Sequence, residues 1–260
     1  MMKPPPAGFP ARRRVGARGR IGVIQPAPGV MLEHEWARWL PDDLLFPVQR
    51  VPMTGVDKPG YRALAALTPD AARDLASAGA DVIAYACTVG SLFDGPEAEA
   101  ALVARMTATS GKPAISLAET SLRALAALGI RRPAIMTPYT PETNQWVADY
   151  AATCGLHIAG FVPTPVGIAT VGDLHPAEVA AVAIAGLAAR TDADGLWIPC
   201  TAIQTMDAVA MIEAIGGRPV VSATQALLWR ALGILGVETD IRGGGALLTT
   251  AFTAAADERK

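Results

Sequence analysis

Cysteine, histidine and aromatic residues are all scarce in this chain of 260 residues. The three cysteines, Cys87, Cys154 and Cys200, form no CxxC pair and no Cys/His cluster. That spacing excludes a disulfide framework and a structural zinc site, and no metal or cofactor is expected. No apolar run reaches the roughly 18 residues that a membrane-spanning helix needs, because charged residues, Gly or Pro interrupt every candidate. Charge of one sign is also missing. The 22 basic and 24 acidic residues leave a formal net charge of −2, which offers no field for nucleic acid or an anionic membrane. Residues 1–20 carry five arginines but no apolar centre, so they do not read as a secretory leader, and the expected location is the cytoplasm.

What remains is rich in apolar residues, at 51% with a mean hydropathy of +0.31. Such a chain can bury a large core. Residues 1–19, with Pro4, Pro5, Pro6 and four of the arginines, lack that character and read as a disordered tail. From residue 20 onward, short β-branched runs alternate with helical patterns. Strands are expected at 21–24, 45–53, 81–87, 114–117, 132–136, 157–162, 194–200 and 220–222. Helices are expected at 31–40, 61–78, 96–110, 119–128, 141–154, 176–189, 206–215 and 223–235.

The order repeats, and so does some wording. Lys112-Pro-Ala-Ile-Ser116 with the helix after it echoes Arg218-Pro-Val-Val-Ser222 with its own. Alternating apolar strands and helices imply an α/β protein with two similar doubly wound, parallel-sheet, Rossmann-like domains. Their expected bounds are 20–130 plus 236–260 for the first and 131–235 for the second. A pseudo-twofold axis relating them would place the site at their interface, where the carboxyl ends of strands meet.

Two strands end in the same way. The run 81–86 delivers Cys87-Thr88-Val89-Gly90-Ser91, and the run 194–199 delivers Cys200-Thr201-Ala202. A lone strand-end cysteine is most simply a small buried hydrophobe. A duplicated one points to two thiols facing one small-molecule site, held near backbone N–H groups that stabilise thiolate. One thiol can remove a proton from a planar carbon, or add to it, while the other protonates the opposite face. Thr88, Val89, Gly90, Ser91, Thr201 and Ala202 are the expected donors to a carboxylate, and Tyr139 an added phenolic donor.

Elsewhere the simpler reading prevails. Cys154 is expected inside a helix as a packed residue. Glu33, His34 and Glu35 read as exposed helix-start polarity, and Gly243-Gly-Gly245 as a turn.

The two Cys-Thr motifs, Thr137-Pro-Tyr139 and Gly243-Gly-Gly-Ala-Leu-Leu248 resemble the Asp/Glu racemase superfamily, in its maleate cis-trans isomerase branch. The resemblance implies a cofactor-independent enzyme. In that branch the cysteine matching Cys87 adds to the double bond of maleate, the one matching Cys200 works as acid/base, and the tyrosine matching Tyr139 holds the substrate. Pro26-Ala-Pro-Gly29, Pro59-Gly-Tyr61, Gly167-Ile168 and Thr205-Met-Asp-Ala208 are similar to loops of arylmalonate decarboxylase. There the residue matching Cys200 protonates an enediolate after carbon dioxide leaves, and glycine stands in place of Cys87. Gly29 and Ile168 stand where the isomerases carry asparagines.

The expected function is an isomerase or racemase of a small carboxylate or dicarboxylate, with Cys87 and Cys200 catalytic. Pro26, Gly29 and Ile168 join the binding residues. An arylmalonate-type decarboxylase using Cys200 and a non-catalytic ligand-binding protein are the alternatives, and a homo-oligomer is allowed.

Overall fold

The computed structural model describes residues 15–238, 241 and 243–250. Ten of the helical and strand elements make a first unit. In chain order they are β1 (Gly19–Pro26), α1 (Met31–Trp39), β2 (Leu44–Leu45), β3 (Val48–Val51), α2 (Lys58–Ser77), β4 (Val82–Tyr85), α3 (Thr88–Leu92), α4 (Pro96–Ser110), β5 (Ala114–Ser116) and α5 (Leu117–Ala127). The second unit contains β6 (Pro133–Thr137), α6 (Pro141–Thr153), β7 (Gly160–Pro163), α7 (Pro176–Ala188), β8 (Gly195–Ile198), α8 (Val209–Gly216), β9 (Val220–Ser222), α9 (Ala223–Ile234) and α10 (Gly245–Thr249).

All strand pairs are parallel. β3, β1, β4 and β5 run in that order in the first sheet, and β7, β6, β8 and β9 in the second. Each sheet thus places its second strand outside its first, and its third and fourth on the other side. β2 and β3 keep one register against β1 and are a single edge strand interrupted at Phe46-Pro47, where proline cannot donate to the ladder.

Three apolar clusters form the core. One covers the outer face of the first sheet, with Leu64, Leu75, Ile83 and Tyr85. Another covers the outer face of the second, with Val162, Leu187, Leu196 and Ile212. The third contains Val23, Val82 and Leu125 together with Trp197, Val221, Leu228 and Trp229. This middle cluster draws on both units, and α9 contributes ten buried residues to the structure, so little of its surface meets water.

Local chemistry explains the departures from expectation. α2 continues through Pro69 although proline has no N–H for the Ala65 carbonyl; the Thr68 hydroxyl donates to that carbonyl instead, at 2.9 Å. α5 starts at Leu117 because the Glu99 carboxylate accepts from the Glu119 amide at 3.0 Å, a cap supplied from another helix. α8 starts at Val209 rather than at 206; before it the Thr205 carbonyl accepts from the amides of Ala208 and Val209, and the Met206 amide donates to Glu35. β7 begins only at Gly160.

The tail expected over 1–19 lies outside the described residues up to position 14. After that the chain is already tied in, the Arg18 amide donating to the Asp43 carbonyl at 2.9 Å and β1 beginning at Gly19. The segment from 236 onward was expected on the first unit. Its described helix α10 bonds instead to the second: the Ala246 amide donates to Glu213 at 2.9 Å, and the Gln225 amide to the Gly244 carbonyl at 2.5 Å. Gly245 opens that helix, so the glycine run is not merely a turn.

Candidate active site

β4 and β8 end side by side with their neighbours β1 and β6, and the turns after these strands enclose a cavity of about 450 Å3. Ten of the twelve expected site residues line it: Pro26, Gly29, Cys87, Thr88, Val89, Tyr139, Ile168, Cys200, Thr201 and Ala202. Gly90 and Ser91 do not. The Ser91 hydroxyl turns back to the Cys87 carbonyl at 2.7 Å, as serines in a first helical turn do, and the Gly90 amide donates to the Cys87 sulfur at 3.3 Å. Both therefore face the cysteine and not the cavity.

The two cysteine turns are held together directly. The Thr88 hydroxyl crosses from the first unit to donate to the Pro199 carbonyl, one residue before Cys200. The Tyr139 hydroxyl lies 3.4 Å from the same carbonyl and beside the Cys200 thiol.

Cys87 caps α3, its backbone extended and its sulfur accepting from the third amide of the helix. It is 8% exposed and Cys200 is 4% exposed. Burial pushes the Cys87 thiol up to about 12, partly offset by the Gly90 amide and the Tyr85 hydroxyl, while the neighbouring Cys200 raises it further. Burial raises Cys200 as well, and the amides of Ala202 and Ile203 and the Tyr139 phenol lower it. Among the described residues no lysine, arginine or histidine lines the cavity. Neutral donors are thus what the site offers to an anion, whether that anion is a thiolate or a carboxylate.

Most of the wall is apolar. Pro28, Met53, Val56 and Pro138 face the cavity with Ile168, and Val56 and Ile168 remain exposed at its mouth. Tyr61, at the start of a helix and outside the expected site residues, also lines the cavity, and its phenol is raised by burial and by both thiols. Tyr85, inside β4, also went unmarked, and its phenol sits against Cys87.

Two further expectations change. Glu35 is not exposed polarity but 2% exposed, accepting from the amides of Thr205 and Met206 on the chain that follows Cys200. Burial raises its carboxyl to about 7. Cys154 follows the last residue of α6 and is exposed, so the packed-helix reading fails.

The sequence pattern of arylmalonate decarboxylase matches residues 21–248. The chain belongs to that family. Arylmalonate decarboxylase from Bordetella bronchiseptica is 30% identical over 225 residues, which are 86% of this chain and 93% of that enzyme. Maleate isomerase from Pseudomonas putida is 28% identical over 253 residues, covering 90% of this chain and 98% of the isomerase. The structure of a mutant Nocardia farcinica maleate cis-trans isomerase with a covalently bound succinylcysteine intermediate superposes with a TM-score of 0.78 at 25% identity, over 90% of this chain and 99% of the other. The fold with two parallel-sheet α/β units and the place in the Asp/Glu racemase superfamily agree with these relatives, all of them enzymes. No helix among the described residues is long and apolar enough to cross a membrane.

Proposed function

We propose that the protein is a cofactor-independent isomerase or racemase of a small carboxylate, in which Cys87 and Cys200 act on one planar carbon from opposite sides. The observation that carries this reading is the pair of thiols delivered by equivalent strand-end turns into a single cavity, each beside a phenol and a backbone amide. In the thiolate form Cys87 removes a proton or adds to a double bond, and Cys200 in its thiol form returns a proton on the other face. The amides of Thr88 and Val89, the first two of α3, have no acceptor within that helix and suit a carboxylate or its enediolate. The covalent succinylcysteine of the Nocardia enzyme supports an addition step of this kind.

The apolar wall supports a substrate whose substituent is hydrophobic, because a compact dianion such as maleate leaves Met53, Val56 and Ile168 uncovered. Proton NMR in heavy water tests the reading, with maleate and a set of 2-aryl and 2-alkyl carboxylates as substrates. Fumarate, or deuterium at the carbon next to the carboxylate, is the expected product; a full set without isomerisation or exchange contradicts it.

The match to arylmalonate decarboxylase favours a second reading, release of carbon dioxide from a disubstituted malonate with Cys200 as the proton donor. It requires Cys87→Gly to keep decarboxylating, whereas the two-thiol reading requires that variant to lose isomerisation.

A further inference from the structure

The mechanism needs a thiolate at Cys87, yet burial opposes it and no cation lines the cavity. Two donors lie near this sulfur. One is the Gly90 amide at 3.3 Å. The other comes from inside the sheet. Tyr85 is the last residue of β4, is wholly buried, and its hydroxyl has no hydrogen-bond partner among the described residues. A buried phenol without a partner is costly, so the sulfur beside it is its natural acceptor.

Gly90 permits this meeting. A Cβ placed there would lie 2.3 Å from the Tyr85 hydroxyl oxygen and 2.9 Å from the Cys87 sulfur. No side chain but hydrogen fits between the helix and the pair. The arrangement also mirrors the other thiol, where Tyr139 supplies the phenol and the Ala202 amide the N–H.

We propose that Tyr85 is a positioning residue that donates its O–H to the Cys87 sulfur and favours the thiolate, with Gly90 as the residue that lets it approach. When Cys87 loses its proton to solvent, the sulfur accepts from the Tyr85 O–H and the Gly90 N–H, and the phenol keeps its own proton. The inference rests on the reading of Cys87 as the reacting thiol, but it concerns the thiol itself and is testable without turnover.

Other ionisable groups surround the pair. Tyr61 on α2, Tyr139 after β6 and Cys200 after β8 interact with Cys87, and Glu99 on α4 interacts with Tyr85. None of them changes in the test.

The experiment is the pH dependence of iodoacetamide alkylation in the folded, full-length protein, with Cys87 and Cys200 quantified separately by peptide mass spectrometry. Tyr85→Phe keeps the ring and removes only the hydroxyl. The expected result is a profile for Cys87 displaced upward by about one pH unit, so that its rate near pH 8 falls about tenfold, while that of Cys200 is unchanged.

Gly90→Ala keeps the phenol but wedges it from the sulfur, and should displace the Cys87 profile in the same direction. It serves as the second arm where Tyr85→Phe fails to fold. An unmoved Cys87 profile in a folded variant, or an equal displacement at both cysteines, would overturn the proposal. A Cys87-selective displacement in a protein that turns over none of the carboxylates would sustain the role of Tyr85 while removing the isomerase reading.

Discussion

Tyr139 packs against all three apolar clusters, and its hydroxyl serves both Cys200 and the Pro199 carbonyl. Tyr139→Phe should leave the packing intact and raise Cys200, cutting its alkylation near pH 8 by about tenfold and turnover by about 10- to 100-fold. Steady-state rates beside a melting curve check this; full activity would remove Tyr139 from the site. The pH dependence of Cys87 follows from the same physics. Burial favours its neutral form, with the folded value raised from 9.0 to about 12. The thiolate fraction, and with it the reaction with alkylating agents, should therefore climb about tenfold per pH unit through the neutral and mildly alkaline range. The stability that the neutral thiol lends is complete below pH 9 and lost as pH rises toward 12.

At the scale of elements, the carboxylate of Glu35 on α1 fixes the chain between Cys200 and α8, because it accepts from the amides of Thr205 and Met206. Its carboxyl rises from 4.5 to about 7 through burial. A raised value means that the folded state binds the proton more tightly. The contribution to stability is thus full below pH 4.5 and declines as pH rises toward 7, by on the order of 3 kcal/mol. Glu35→Gln retains an oxygen acceptor without the charge, so melting temperatures at pH 5 and pH 8 should lie closer together than in the wild type. They should not become equal, since Glu99 rises through the same window. Glu35→Ala leaves two buried amides without an acceptor and should cost about 2–4 kcal/mol in denaturant unfolding. A neutral effect would show that the turn holds by itself.

The middle cluster makes the two units one thermodynamic body. α5 and α9 follow Ser116 and Ser222 at equivalent places in the repeat and share that cluster, which includes Leu125 and Leu228. One calorimetric transition is expected, and a fragment spanning 131–235 should not fold alone, because the apolar faces of α9 toward the first unit would be left in water. Two separate transitions would contradict the shared core.

The repeat and the strand-end cysteines were legible because they are written in local periodicity and in matching words, such as Cys-Thr after an apolar run. Ten of the named residues meet in the cavity for the same reason: parallel strands deliver their carboxyl ends to one side. What depends on contacts distant in sequence was not legible. Glu35 looks like an exposed helix acid until 170 residues further on Thr205 brings its amide. Ser91 looks like a ligand donor until α3 forms and turns its hydroxyl back. Tyr85 looks like one more apolar strand residue, since nothing in the run shows that its hydroxyl ends beside a sulfur.

The most direct measurement of the central claim is turnover by Cys87→Ala and Cys200→Ala, each beside the wild type, on whichever carboxylate the NMR survey finds active. Both variants should keep the melting temperature within a few degrees and lose activity by about a thousandfold or more, since neither thiol alone can serve both faces of the carbon. Substantial activity in Cys87→Ala, with only Cys200→Ala inactive, would contradict two-thiol catalysis and leave a single proton donor in its place.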